Sequence, residues 1–301
     1  MVRTRCLNGY YKDILLVVNF NHPFYKNIPL IRLLYGRIFP NMVFYGTEES
    51  DKFNITKINT HKGYFSYKVL AKAMVSQRNH DIYKGYLLIN DDILLNPWSF
   101  NDLDRDKIWE GPKWPITFRN FSKADKWYWW KSRWGLSKCL LAKKEVFSKY
   151  PDLVAANRVG SSENTEDQRL GCFRGRSDIF YIPKRFCDKF IVLSEIFYNH
   201  SVFLEIAVPT IVQMMTSGEN NAHQRMWGVY LPGRVNDSSI RNTSNLWKAY
   251  NSDIHFIHPV KLNYRDSGSA VNKIKLEEVK QKINCLVNCS ISFRDYITSI
   301  S

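Results

Sequence analysis

The segment Tyr86–Asn96 constrains the fold of this chain more than any other. Its sequence, YLLINDDILLN, is apolar at nearly every position apart from Asn90 and the adjacent carboxylates Asp91 and Asp92. A short run of this kind predicts a strand that is buried on both of its faces. Charges at the end of such a strand are costly unless a cation or hydrogen bonds compensate them. The two aspartates therefore require a partner.

Two interpretations of these aspartates are open. Mg²⁺ and Mn²⁺ bind carboxylate oxygens, usually one or two from the protein, and fill their other positions with water and substrate phosphates. On this basis the pair predicts a metal-bridged diphosphate site. The alternative is that Asn90, Asp91 and Asp92 simply open a turn, since Asn and Asp are common turn residues.

Composition places the chain among globular proteins. It has 301 residues, of which 45% are apolar and 15% aromatic, so it can bury a full core as one large domain or two small ones. It contains no apolar run of about 18 residues. Its first ten residues lack the apolar segment of a secretory signal. We therefore expect a cytoplasmic protein with no signal peptide and no membrane span.

The cysteines give no clear framework. There are six, and only Cys285 and Cys289 are close together in the sequence. No Cys-x-x-Cys pair indicates a zinc site. We expect free thiols in a reducing compartment rather than disulfides.

The formal net charge of +15 invites comparison with nucleic-acid-binding proteins. The distribution of charge argues against that class, because basic residues are spread along the chain and no run of five occurs. No helix-turn-helix, zinc-finger or RNP-type pattern is found. We expect no nucleic-acid partner. A basic protein that binds a nucleoside diphosphate or an anionic surface fits the charge equally well.

The first hundred residues alternate strand and helix patterns, as the parallel sheet of an α/β protein does. In open sheets of this kind, ligands bind beyond the carboxyl ends of the strands. We therefore expect donor contacts from Asn19, Phe20 and Tyr45 as well as from Asn90, Asp91 and Asp92. The predicted strands are Asp13–Phe20, Asn41–Gly46 and the segment from Tyr86, and the predicted helices are Asn27–Tyr35 and Tyr67–Gln77.

The second half of the chain opens with an aromatic-rich excursion. Seven of the nine tryptophans lie between Trp98 and Trp134, a density that a packed core rarely needs. The later segments predict strands at Gly135–Ala142, Ile179–Ile182 and Ile254–His258, a helix near Lys144–Tyr150, a polar loop at Gly160–Gly171, and a polar helix at Lys273–Asn284.

Four motifs follow one another along the chain. They are Asn90-Asp91-Asp92 after the buried strand, Gly135 after the aromatic segment, Thr165-Glu166-Asp167 at a predicted helix start, and His258 with Lys261 after a late strand. Together they resemble the Asp-x-Asp element, the glycine loop, the x-Glu-Asp element and the C-terminal histidine of GT-A glycosyltransferases. The segments LINDDIL and ENTED are most similar to exostosin-like transferases. Asn90 departs from the family pattern, since that position is acidic there.

The resemblance implies one GT-A domain of the α/β class, with a Rossmann-like, mixed central sheet, over residues 1–265. Within it, residues 1–100 would form the nucleotide-sugar-binding half and residues 101–265 the acceptor-binding half. Residues 266–301 would form a C-terminal helical appendage.

The resemblance also assigns the donor side of the site. It implies that Asp92 and His258 bind Mn²⁺ or Mg²⁺ on the diphosphate of a UDP-sugar, which offsets charge on the leaving group. Asn90 and Asp91 would contact ribose or sugar hydroxyls, and Lys261 would reach the diphosphate. Taken by itself, His258 is better explained by a structural role, and Lys261 is equally well explained as a solvated surface residue.

On the acceptor side, the resemblance implies that Asp167 is the general base, with Glu166 beside it. The same residues also fit the acidic first turn of an ordinary helix. Tryptophan suits sugar binding because its broad apolar face stacks on pyranose C–H groups while the indole N–H reaches a hydroxyl. The predicted acceptor contacts are Trp129, Trp130, Trp134 and Gly135.

The expected activity is transfer of a sugar, with xylose as the best match, from a UDP donor to a glycan hydroxyl with inversion. The missing anchor directs the comparison to transferases of large algal viruses, which glycosylate capsid glycoproteins in the host cytoplasm. Two alternatives stay open: a non-catalytic carbohydrate- or nucleic-acid-binding protein, and a retaining exostosin-like hexosaminyltransferase. A nucleotidyltransferase is disfavoured because no Gly-rich phosphate loop follows the first strand.

Overall fold

A computed structural model describes residues 9–78, 80–111, 113–116, 127–154, 171–216, 219, 221–231, 248–249 and 253–260. The strands within these ranges are β1 (Ile14–Phe20), β2 (Met42–Gly46), β3 (Ile55–Lys57), β4 (Gly85–Asn90), β5 (Leu94–Leu95), β6 (Ile108–Glu110), β7 (Lys113–Ile116), β8 (Cys172–Gly175), β9 (Ile179–Pro183), β10 (His223–Arg225), β11 (Gly228–Tyr230) and β12 (Phe256–His258). The α-helices are α1 (Ile28–Tyr35), α2 (Tyr67–Ser76), α3 (Tyr128–Lys131), α4 (Leu136–Lys149), α5 (Pro151–Val154), α6 (Cys187–Asn199) and α7 (Leu204–Met215).

A seven-stranded sheet forms the centre of the molecule, in the order β10-β6-β9-β4-β1-β2-β3. Strands β4, β1, β2 and β3 are parallel, whereas β9 runs antiparallel to both β4 and β6. The predicted α/β class with a mixed central sheet is thereby confirmed. Because β9 runs the other way, its first residue lies at the edge where the parallel strands end.

Both faces of the central sheet are covered. Side chains of β1 alternate between two cores: Leu15 and Val17 pack with α2, α6 and α7, while Leu16 and Val18 pack with α1. Such burial on two faces explains why β1 and β4 are apolar at consecutive positions. A smaller sheet, β11-β12-β5, extends the second core, and β7 pairs with β8.

The local predictions for the first ninety residues are confirmed to within about two residues, as are the strands at Ile179–Ile182 and before His258. The apolar run from Tyr86 is divided at the aspartates: β4 ends at Asn90, a turn holds Asp91 and Asp92, and β5 belongs to the smaller sheet. The predicted helix at Lys273–Asn284 and the appendage 266–301 lie outside the described residues.

The strand predicted at Gly135–Ala142 is wrong, because this segment begins the long helix α4. The predicted helix near Lys144–Tyr150 is the second half of the same helix. Buried positions Leu136, Cys139, Ala142, Lys143 and Val146 recur at helical spacing. That periodicity is visible only across the whole helix, since the run from Cys139 to Ala142 is apolar without a break.

The expectation of free thiols is wrong for two cysteines. Cys139 on α4 and Cys172 on β8 form a disulfide across 33 residues of sequence. Their distance in the chain carries no signal for this pairing, which depends on how α4 packs beside β8. Disulfides are rare in the cytosol. The pair therefore argues against the expected cytoplasmic location.

Within the described part of the chain, every helix is too short or too polar to cross a bilayer.

Candidate active site

The carboxyl edge of the central sheet carries a chain of amide side chains. The register of β1 with β4 places Asn19 opposite Asn90. Asn19 Nδ2 donates to Asn90 Oδ1 at 3.1 Å and to Asn21 Oδ1 at 2.7 Å. Asn90 Nδ2 in turn lies 3.5 Å from Asp178 Oδ1, at the long limit of a hydrogen bond. Asp178 belongs to this edge because it immediately precedes the antiparallel strand β9.

Asp92 and His258 meet at the same edge. Strand β12 pairs with β5 just beyond the turn, and Val260 N donates to the carbonyl oxygen of Asp92 at 2.7 Å. These contacts bring His258 Nε2 to 3.4 Å from Asp92 Oδ1 and to 3.7 Å from Asp178 Oδ1. Two ligands of one octahedral ion, each about 2.1 Å from it, are separated by about 3.0 Å. The Asp92–His258 pair can therefore hold one divalent cation.

The Asp92 and His258 side chains fit Mg²⁺ or Mn²⁺ that is bound together with a phosphate ligand. Among the described residues, no group of three or more His, Cys, Asp and Glu side chains is arranged to hold a metal alone. Ions of this type on diphosphates usually take only one or two protein ligands. In addition, Asp178 Oδ2 is buried and accepts no hydrogen bond within the described chain. A buried carboxylate oxygen of this kind requires a hydrogen-bond donor or a cation.

A second polar cluster, which the sequence analysis does not predict, borders the Asp92–His258 pair. Arg176 Nη1 lies 3.2 Å from Glu205 Oε1, and the Arg176 guanidinium lies 4.8 Å from the centre of the Tyr230 ring. The Tyr230 ring contacts the His258 ring at 5.8 Å between centroids. Burial, followed by the charge of Asp178, raises the pKa of Glu205 from 4.5 to about 7 against the opposing charge of Arg176. The signal in the sequence that could have indicated this cluster is Arg176-Ser177-Asp178, two charged residues directly before a strand.

Five aromatic residues form a patch beside these clusters, which we call the aromatic patch: His61, Tyr64, Trp129, Trp134 and Phe203. Trp129 stacks on Phe203 with ring centroids 4.0 Å apart and an interplanar angle of 12°. Tyr64 contacts Trp134 at 4.9 Å, and His61 contacts Trp134 at 5.5 Å. Trp129, Tyr64 and Trp134 are partly exposed. They present aromatic surface of the kind that binds sugars.

A strained turn connects the aromatic patch to the amide chain. His61, Lys62 and Gly63 have φ values of +49°, +59° and +93°. Left-handed conformations are unfavourable for residues with a Cβ atom and concentrate at functional sites. Gly63 packs against the Asn21 carboxamide so closely that a Cβ atom there would overlap it.

The structure brings together part of the predicted site. Asn19, Asn90 and Asp92 converge with His258, while Asp91 N donates to the Asn19 carbonyl oxygen at 3.0 Å. Trp129 and Trp134 lie in the aromatic patch. Gly135 lets the chain pass close to the carbonyl oxygens of Trp129 and Trp130.

Other predicted residues lie elsewhere. Phe20 and Trp130 are 0% and 2% exposed and belong to the core. Tyr45 is also buried, and its hydroxyl lies 3.4 Å from Ser76 Oγ beneath the sheet. The side chains of all three residues pack in the core, and their predicted contacts with donor or acceptor stay predictions. Glu166, Asp167 and Lys261 lie outside the described residues.

Taken together, the fold and the site define a mixed α/β protein with an acidic, histidine-containing site at the carboxyl ends of its parallel strands. No protein-family model matches the chain. The chain is 26% identical over 210 residues to "Probable glycosyltransferase STELLO1" of Arabidopsis thaliana, covering 70% of this chain and 25% of that protein. It is 23% identical over 249 residues to "Probable glycosyltransferase STELLO2" of the same plant, covering 83% and 30%. The chain thus spans less than a third of these curated relatives.

Two solved structures share a weak overall likeness. One is a glycosyltransferase involved in the glycosylation of the major capsid of PBCV-1, with a TM-score of 0.40, 9% identity, and coverage of 89% of this chain and 98% of that one. The other is core-mannan synthase A from Aspergillus fumigatus in its Mn/GDP form, with a TM-score of 0.38, 6% identity, and coverage of 71% and 72%. Likenesses at this level support no conclusion about this chain. The curated relatives agree with the resemblance to glycosyltransferases stated above, whereas its exostosin-like and algal-virus refinements stay predictions.

Proposed function

We propose that this chain contains a cation-dependent glycosyltransferase domain of the GT-A type, which moves a sugar from a nucleoside diphosphate to an acceptor hydroxyl. The observation that carries the proposal is the meeting of Asp92 and His258, 3.4 Å apart, at the carboxyl edge of the sheet. Open α/β sheets bind their ligands at this edge. The names of the two curated relatives support the same class of reaction.

On the donor side, Asp92 and His258 would hold Mn²⁺ or Mg²⁺. When bound, such an ion offsets the negative charge that grows on a departing diphosphate. Asn19 and Asn90 orient one another through the amide hydrogen bond between β1 and β4. Asp91, in the same turn, would contact ribose or sugar hydroxyls. Together these side chains would orient the donor for the reaction.

On the acceptor side, the aromatic patch would bind a sugar of the acceptor glycan. Within the patch, Trp129 stacks on Phe203 and Tyr64 packs against Trp134. These contacts hold the exposed ring faces in place. Preorganised aromatic faces bind sugars with little loss of side-chain entropy. Trp129 and Trp134 are the residues assigned to this contact.

The narrower assignments rest on the motif resemblance alone. They are UDP as the nucleotide, xylose as the sugar, a glycan on a capsid glycoprotein as the acceptor, an exostosin-like relationship, and inversion with Asp167 or Glu166 as base. They also include the contact of Lys261 with the diphosphate and the division into residues 1–100, 101–265 and 266–301. We retain all of them as proposals.

The central test is the substitution Asp92→Asn, which removes one charge at nearly constant shape. We expect UDP binding by the wild-type chain to require Mn²⁺ and to be abolished by EDTA. We expect Asp92→Asn to weaken Mn²⁺-dependent UDP binding by at least 10-fold, because loss of even an outer-sphere partner of a metal costs about 10- to 100-fold. Isothermal titration calorimetry measures both effects.

Asp188→Asn is the matched control. Asp188 is an exposed carboxylate on α6, and it pairs with Arg78. It should leave UDP affinity unchanged. Equal UDP affinity in wild type and Asp92→Asn would refute the metal assignment. A wild-type chain that binds free glycan but neither UDP nor UDP-sugars would instead identify a lectin-like protein.

The stereochemistry has its own test. NMR of the product formed from an α-linked UDP-sugar distinguishes the two outcomes. A β linkage supports inversion, and a new α linkage rejects it in favour of the retaining alternative.

A further inference from the structure

A carboxylate that the proposed function does not use lies at the start of α7. Glu205 is the second residue of this helix, and 13% of its side-chain surface is exposed. Its Oε1 atom is paired with Arg176 Nη1 at 3.2 Å. The carboxylate is therefore held in one direction by a guanidinium and is still accessible to a small group from solvent.

The first residues of α7 are fixed to the aromatic patch. Phe203, two residues before Glu205, stacks on Trp129. The Phe203 amide donates to the Trp134 carbonyl at 2.9 Å, and the Leu204 amide donates to the Tyr64 carbonyl at 2.8 Å. The backbone that carries Glu205 is thus attached to the residues proposed to bind the acceptor.

The partner of Glu205 connects it to the donor edge. Arg176 is two residues from Asp178, whose Oδ1 lies 3.7 Å from His258 Nε2. Arg176 also packs on Tyr230, which contacts the His258 ring. Glu205 is therefore linked to the cation-binding pair through Arg176 and to the aromatic patch through the start of α7.

Electrostatics suit this carboxylate to proton transfer. Burial and the negative charge of Asp178 raise the pKa of Glu205 to about 7, while Arg176 and His258 lower it. A carboxylate with a pKa near the working pH is a stronger base than an exposed one and is still ionised in a large fraction of molecules. This raised pKa results from the burial of Glu205 near Asp178.

We propose that Glu205 is the general base of the transfer reaction. As the acceptor oxygen forms its bond to the anomeric carbon, the Glu205 carboxylate takes the proton from that hydroxyl. The bond from the anomeric carbon to the diphosphate oxygen breaks, and its electron pair leaves with the nucleoside diphosphate. This inference rests on the proposed function and on inversion, and it offers Glu205 as the base in place of Asp167 and Glu166, the two residues that the motif resemblance suggests.

The test compares three variants of the full chain: Glu205→Gln, Asp167→Asn and the control Glu195→Gln. Glu195 is an exposed carboxylate on α6, and it pairs with Lys68 on α2. We expect Glu205→Gln to lower kcat by about 100-fold or more while Mn²⁺-dependent UDP affinity changes less than about 2-fold. Glu195→Gln should keep kcat within about 5-fold of wild type, and Glu205→Gln should lose more turnover than Asp167→Asn.

Chemical rescue separates a base from a structural residue. In Glu205→Ala, added formate should restore part of the lost turnover, because a small carboxylate can occupy the vacated position. Chloride, which can pair with Arg176 but does not accept a proton, should restore nothing, so rescue by formate alone identifies the base. If Glu205→Gln does not fold, Glu205→Asp, which keeps the charge but withdraws it by one methylene, should still show a large loss of kcat with normal UDP affinity.

Three results would overturn the inference. They are near-normal kcat in Glu205→Gln, a loss of turnover in Glu205→Ala that formate leaves unchanged, or a 100-fold loss in Asp167→Asn with none in Glu205→Gln. Each of these leaves the proposed function intact, because the wild-type chain still transfers sugar. A wild-type chain that neither transfers nor hydrolyses any UDP-sugar would overturn the proposed function as well.

Discussion

Gly63 offers a quantitative test of the connection between the strained turn and the donor edge. Its φ of +93° is unfavourable for any residue with a Cβ atom, and a Cβ atom there would overlap the Asn21 carboxamide. Asn21 Oδ1 accepts a hydrogen bond from Asn19 Nδ2 at 2.7 Å. The substitution Gly63→Ala therefore strains the backbone and also displaces Asn21.

The expected magnitude follows from these two contributions. Placing alanine in a left-handed conformation costs about 1–2 kcal/mol. Moving Asn21 away breaks its hydrogen bond to Asn19, which costs about another 1 kcal/mol. We expect Gly63→Ala to lower the free energy of unfolding by about 2–3 kcal/mol in total.

Gly9 supplies a matched control within the same chain. It has a φ of +63°, and a Cβ atom added there meets nothing within 4 Å. Gly9→Ala should therefore cost only the backbone contribution of about 1–2 kcal/mol. Urea denaturation of both variants measures the difference.

A double-mutant cycle with Asn21→Ala isolates the contact itself. Once the Asn21 carboxamide is removed, Gly63→Ala should cost no more than Gly9→Ala, which gives an interaction free energy of about 1 kcal/mol between positions 21 and 63. An interaction free energy within about 0.3 kcal/mol of zero would show that Asn21 moves aside without cost. The turn and the amide chain would then be energetically independent.

Further predictions address the aromatic patch and the cation. Trp129→Ala should raise KM for the acceptor about 10-fold, equivalent to about 1.4 kcal/mol of lost stacking, with KM for the donor unchanged. Trp227→Ala is its control, because Trp227 is 53% exposed but lies outside the patch. An equal effect of both variants on acceptor KM would contradict the assignment of Trp129 to acceptor binding. Mn²⁺ together with UDP should raise the thermal midpoint of the wild-type chain but not of Asp92→Asn, and equal shifts in the two proteins would contradict the role of Asp92.

Local structure was predictable where one pattern runs through a whole element. The strands β1 and β4 are apolar at consecutive positions because both faces of the sheet are covered, and α1 and α2 show helical spacing over their full length. The prediction failed at α4, where a short apolar run hides the helical period. An isolated window of eight residues cannot distinguish the two structures there.

Asp92 could be singled out from the sequence because a charge at the end of a buried strand needs compensation. His258 could not be singled out in this way, since a lone histidine carries no such signal and only the order of the four motifs indicates it. Its distance of 3.4 Å from Asp92 depends on the pairing of β12 with β5, residues more than 160 positions apart in the chain. Long-range pairing of this kind is set by the packing of the complete sheet.

By itself, then, the sequence determined the α/β class, the early elements and the acidic end of β4, because each depends on the residues of one segment. Only the tertiary structure decided which distant residues join that end. The reversed direction of β9 brings Asp178 to the edge, and the attachment of α7 to the aromatic patch brings Glu205 beside Arg176. The disulfide between Cys139 and Cys172 was likewise decided by packing. Contacts of this kind depend on strand direction and helix placement, which result from burial across the whole domain rather than from any local pattern.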